Sequence, residues 1–160
     1  VYLWTKQNDQ AVDEGRKAIS LEPSYADGHF ALAVFLRYAG QPREALEEHE
    51  KALRFNPMYG HRLYYLTLCH TFYMLKQYEE AVKAAQQAAT RGANHFSIQR
   101  SLAMAYAQLG CIEDARRHAA DVLEINPNFS INAWAERTPY KNQADLEHCI
   151  DGMRKAGLPD

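Results

Sequence analysis

Seven histidines and three cysteines are the side chains of this 160-residue sequence that could bind a metal or act as nucleophiles, and Cys69-His70 comes nearest to a chelating pair. Neighbours on a helix point about 100° apart, so these two cannot converge on one ion. His49 and His118 fall within helical patterns as packing or surface residues. Glu47-Glu48 and Glu79-Glu80 stand at helix starts or on solvated faces, where they favour the helix dipole rather than proton transfer. The sequence has no glycine-rich phosphate loop, no GxSxG turn and no HExxH. No catalytic residue, metal ligand or cofactor is therefore expected, and the segment reads as a non-enzyme.

Composition narrows the classes further. With 47% apolar and 24% charged residues the chain suits one folded domain. Eighteen Lys plus Arg nearly balance twenty Asp plus Glu, and a net charge of -2 offers no field for nucleic acid or an anionic membrane. Cys69, Cys111 and Cys149 are too few and too scattered for a disulfide framework, so free, mostly buried thiols and a cytoplasmic setting are expected. No stretch reaches the ~20 apolar residues of a membrane span. The chain starts at Val1 without an initiator methionine, which suggests a piece of a longer protein.

The elements that hold these residues follow a period. Ala11, Ala45, Ala81 and Ala115 are separated by 34, 36 and 34 residues, and two more columns share that spacing. These are Ala18, Ala52, Ala88 and Val122, and Tyr2, Leu36, Phe72 and Tyr106. Each unit holds two amphipathic stretches joined by a short turn, the pattern of a repeated helix hairpin. In the clearest unit Gly40 can end the first helix in a left-handed conformation and Pro42 can open the second. Ala45 and Ala52 keep one stripe of the second helix thin, so that two backbones can approach.

Leu32-Ala33, Leu36, Ala45, Ala52 and Pro57, with Leu68-Cys69, Phe72, Tyr78, Ala81 and Ala88, and Leu102-Ala103, Tyr106, Ala115 and Pro127, resemble the tetratricopeptide repeat (TPR). Departures are His29, Tyr65 or Gln99 where the family often has tryptophan, and two extra residues near "MYGH". The resemblance implies an all-α, right-handed superhelical stack of helix-turn-helix units. A partial repeat would cover residues 1–25, with Val1 to Thr5 as the tail of a first helix. Full repeats would cover 26–59, 62–95 and 96–129, and capping helices 130–160.

The ending breaks the alanine column. Ser130 can cap a short helix that Thr138-Pro139 stops, and Asn142 can cap a last one running from Gln143 to about Ala156. Leu146, Cys149, Ile150 and Met153 share one face of it, and Leu158 can fold back onto Met153 past Gly157. A lid on the last repeat is the expected role. Phe129, Trp134, Pro139-Tyr140-Lys141 and "GMRKAGLP" also resemble the C-terminal end of bacterial class III adenylate/guanylate cyclase-type signalling proteins that carry TPRs. That resemblance implies a regulatory segment, without any cyclase residue in this chain.

First helices of such repeats line a concave groove, so side chains not used within a hairpin choose the partner. Phe30, Val34, Arg37 and Tyr38, then Leu66, His70, Tyr73 and Met74, then Arg100 and Met104, with Trp4 from the partial repeat, form that set. Their chemistry suits a protein or an apolar peptide, and a homodimer is the competing use. Superhelical curvature or further chain of the same protein could instead cover them. On the groove reading Tyr38→Ala and Tyr73→Ala leave stability nearly unchanged. The family's terminal-carboxylate clamp is not expected, because its places carry Ala31, Val34, Leu63 and Thr67.

Overall fold

The computed structural model describes residues 2–60, 62–92 and 95–160, with residue 59 as backbone only. Val1, where the partial repeat begins, and His61, Ala93 and Asn94 lie outside the described residues. Among these residues every regular element is helical. A short 3-10 turn, Tyr2–Thr5, precedes α1 (Asn8–Leu21). Three hairpins follow: α2 (Ala26–Tyr38) with α3 (Pro42–Phe55), α4 (Arg62–Met74) with α5 (Tyr78–Thr90), and α6 (His95–Gln108) with α7 (Ile112–Ile125). The tail is α8 (Ile131–Arg137) and α9 (Gln143–Ala156).

One hydrogen bond defines every hairpin turn. The backbone N–H of Gln7, Gln41, Gln77 and Cys111 donates to the carbonyl five residues earlier, on Tyr2, Leu36, Phe72 and Tyr106, at 2.9 to 3.0 Å. The aromatic and leucine column of the sequence therefore supplies the acceptor of a Schellman turn. That turn requires a left-handed residue just before the donor. Gly40 and Gly110 take it at φ 81° and 79°, but Lys6 and Lys76 take it at 59° and 60°, where a side chain is strained.

The alanine seams sit where the helices cross. Ala45, Ala81 and Ala115 of the first column, and Ala52, Ala88 and Val122 of the second, expose no surface. Ala18 departs from its column and is exposed. Its partner in the hairpin is the four-residue turn Tyr2–Thr5, too short to reach it.

α8 begins as expected, with Ser130 Oγ accepting from the Ala133 N–H at 3.2 Å. α9 has the expected bounds, but Asn142 makes no side-chain capping bond and instead donates to Asp145 Oδ2 at 3.2 Å. Gly157 is left-handed at φ 91°, and the Leu158 N–H returns to the Met153 carbonyl at 3.1 Å.

The tail does more than cap the last repeat. α9 packs on α6 and α7, as a lid should, yet its leading segment continues along the first helices to the opposite end of the stack. The Lys141 N–H donates to the Tyr38 carbonyl at 2.9 Å, and Asn8 Nδ2 donates to the Pro139 carbonyl at 3.1 Å. Lys141 Nζ also pairs with Asp9 at 2.6 Å, but both partners are exposed and contribute little. Burial carries the docking: Ile131, Ile150, Met153 and Leu158 are each at most 7% exposed. Side chains of that size gain about 1.5–3 kcal/mol each on full burial.

Candidate functional site

The first helices α2, α4 and α6 stack side by side, and the tail crosses them. Six of the eleven expected groove residues, Arg37, Tyr38, His70, Tyr73, Arg100 and Met104, line one cavity together with Cys69, Ser101, Trp134, Tyr140 and Cys149. The sequence reading did not include the last five. Trp134, Tyr140 and Cys149 come from the tail and form its cover.

The remaining five expected residues divide. Phe30 turns away from this face and packs between His49 and Tyr64, with ring centroids 5.9 and 6.5 Å away. Leu66 is a core residue at 9% exposure. Met74 receives the tail, its sulfur accepting from the Tyr140 hydroxyl at 3.6 Å and the Cys149 thiol at 3.9 Å. Val34 is half-buried within α2. Trp4 is 70% exposed.

Tyr73 corrects the sequence-based expectation. It is 3% exposed, donates to the His148 carbonyl at 3.0 Å and stacks on the His148 ring at 4.7 Å. A residue so enclosed anchors the tail, and its removal would lower stability. The cause is Gly152, one turn further along α9. A β-carbon there would run into the Tyr73 hydroxyl and meet Met104 Cβ at 3.4 Å. Glycine lets helix and tyrosine close on each other.

Electrostatics in the cavity are one-sided. Arg37 is 3% exposed; its Nη1 donates to the Tyr140 hydroxyl at 3.0 Å and its guanidinium lies 3.9 Å from the Tyr38 ring centre. Burial opposes the Arg37 charge, but the Tyr38 and Tyr140 hydroxyls outweigh it and hold the proton more tightly than usual. Arg100 stands across from it, 5.2 Å from the Trp134 ring, and burial loosens its proton. Burial and the two arginines push His70 well below the usual imidazole range, so it is neutral. Ser101 Oγ donates to the Ser97 carbonyl at 2.8 Å, which leaves its 2.9 Å contact with His70 Nε2 to a proton on the ring.

Burial raises the Cys69 thiol to about 12 and the Cys149 thiol to about 11. Both stay protonated near neutrality and are weak nucleophiles. Cys111 is free and exposed. Among the described residues no group of three or more His, Cys, Asp or Glu could hold a metal ion, and no helix is long and apolar enough to cross a membrane.

Beside the covered cavity lies an open cleft of about 470 Å³, whose walls include Trp4, Phe96, Arg100, Trp134 and Arg137. Arg100 belongs to both spaces. The tail thus divides the first-helix face into a small, partly covered compartment and a more open one.

No protein-family model matches the chain. Short curated matches exist. One is 49% identical over 49 residues to the small glutamine-rich tetratricopeptide repeat-containing protein 2 of Saccharomyces cerevisiae, 30% of this chain and 14% of that protein. Another is 44% identical over 52 residues to the type IV pilus assembly protein PilF of Pseudomonas aeruginosa, 32% of this chain and 21% of that one. These matches span about a fifth or less of the relatives' length. Among solved structures, PilF of Pseudomonas aeruginosa superposes with a TM-score of 0.68 at 25% identity, over 99% of this chain and 73% of that one. A thermophilic TPR protein of Thermus thermophilus, TTC0263, gives 0.65 at 21% identity, over 96% and 76%. YrrB, described as a TPR protein with an unusual peptide-binding site, gives 0.63 at 22% identity, over 95% and 77%. With its Schellman turns and alanine seams, the chain has the fold of the tetratricopeptide-repeat solenoids.

Proposed function

We propose that this chain is a non-catalytic interaction module that receives an extended peptide segment of a partner protein in the open cleft between Trp4 and Trp134. The cleft itself carries the reading, because Trp4 stays 70% exposed next to Phe96, Trp134 and two arginines while the tail covers the neighbouring Arg37 cavity. Exposed tryptophan beside arginine is the composition of interface centres, where these two residue types carry most of the binding energy. A site of the same general kind is named for YrrB, a structural neighbour. The tail's resemblance supports placing the module in a cytoplasmic bacterial signalling protein, downstream of a cyclase-type domain.

A peptide array screened with the protein tests the cleft. Trp4→Ala and Arg137→Glu should each weaken the selected peptides at least about tenfold, the scale of a residue that carries binding energy. Both residues are exposed, so the melting temperature should stay unchanged. Binding that survives both substitutions places the peptide elsewhere and removes the reading.

Exposed Leu21, Tyr25, Phe55, Met58 and Leu63 favour a second reading, self-association. A strictly monomeric mass in solution at high concentration would dismiss it.

A further inference from the structure

We propose that the covered cavity between Arg37 and Arg100 is a binding site for a small oxyanion or carboxylate, held beneath the protein's own tail. The proposal goes beyond the peptide cleft and does not depend on it. Its grounds are the donor inventory of the walls. Arg37 and Arg100 line the space and none of the lining residues is a carboxylate, while the hydroxyl protons of Tyr73, Tyr140 and Ser101 already go to His148, Met74 and Ser97, which leaves the guanidiniums as the main donors. No aspartate or glutamate forms an ion pair with Arg37 or Arg100 among the described residues.

A buried guanidinium without a counter-charge is costly, because water no longer stabilises it. The Tyr140 hydroxyl satisfies Arg37 Nη1 only in part. Arg37 Nε is fully buried and has no hydrogen-bond partner, an unmet donor on a side chain that lines the cavity. A planar guanidinium supplies the paired N–H groups that carboxylates and oxyanions accept. The Tyr38 ring 3.9 Å from the guanidinium and the bond from Nη1 to the Tyr140 hydroxyl hold that plane in place.

Size sets the class. The cavity offers about 50 Å³, where one water needs roughly 10–15 Å³ by the same measure. The occupant therefore has only a few heavy atoms, as in phosphate or acetate. The place is also distinct from the terminal-carboxylate clamp considered from the sequence, whose positions Ala31, Val34, Leu63 and Thr67 are absent from these walls.

The test uses the full chain with Trp4→Phe, which leaves Trp134, a wall of the cavity, as the only tryptophan. Trp134 fluorescence and the melting temperature are followed while sodium phosphate or sodium acetate is titrated against sodium chloride at matched ionic strength. Saturable changes with phosphate alone assign an inorganic oxyanion, and with acetate alone a carboxylate. If both act, they should compete for one site. Arg100→Gln should weaken binding at least about tenfold, while Arg91→Gln, on an exposed arginine away from the cavity, should not. Should Arg100→Gln fail to fold, Arg100→Lys keeps the charge without the fork and should still weaken binding. No saturable response beyond chloride, or affinity unchanged by a folded Arg100 variant, overturns the proposal.

Discussion

His49 has no exposed surface, and its pKa falls to about 3 because burial removes water from the charged ring and Arg37 repels it. An unfolded chain returns the ring to about 6.5, so protons prefer the unfolded state between these two values. The stabilising contribution is complete above pH 6.5 and declines as pH falls toward 3. From pH 6 to pH 5 His49 alone should remove about 1 kcal/mol, and His70, shifted in the same direction, adds to the slope. Urea unfolding at pH 7, 6 and 5 measures this, with ring resonances of His49 that do not titrate down to pH 5. A midpoint constant over that range would contradict the burial. The sequence could place His49 inside a second helix but not tell packing from surface. Its depth comes from Phe30 and Tyr64, whose rings sit 5.9 and 5.4 Å away and belong to neighbouring helices.

At the scale of the helices, the turns were legible where glycine marked them and hidden where it did not. Gly40 signals its left-handed turn openly, whereas Lys76 occupies the equivalent place two hairpin helices later with no compositional sign. The repeat period alone aligns them, 36 residues apart. A non-glycine residue in this region carries a steric cost of about 1–2 kcal/mol, part of which is regained because lysine restricts the unfolded chain more than glycine does. Lys76→Gly should therefore stabilise the protein by about 0.5–1 kcal/mol, read as a higher urea midpoint with an unchanged slope. Its side chain is exposed and forms no ion pair among the described residues, so little else is lost. A lower midpoint would mean that the turn is held by something other than backbone geometry. The helix bounds of α8 and α9 were equally legible, because Ser130, Pro139 and Gly157 act locally. Where α9 would lie was not. Tyr140 meets Arg37 across 103 residues, and an apolar face reads the same in sequence whether a partner or the chain itself covers it.

For the whole molecule the crossing tail changes how stability is shared. In an open solenoid each repeat touches only its neighbours, and ends unfold more easily than the middle. Here residues of the segment between α8 and α9 bond to the first two helices, through Asn8 to Pro139, Tyr38 to Lys141 and Arg37 to Tyr140. Opening α1 and α2 must therefore break tail contacts, and releasing the tail must uncover the Arg37 cavity and loosen α1 and α2. Gly152→Ala tests that coupling. Its methyl group drives into Tyr73 and Met104 on α4 and α6, an overpacking that should cost about 1–3 kcal/mol. Neither residue touched belongs to α1 or α2. Native-state hydrogen exchange on the folded variant should nevertheless show reduced protection in α1 and α2 along with α9. If protection falls in α9 alone, the tail is a local lid and the two ends of the stack are energetically independent.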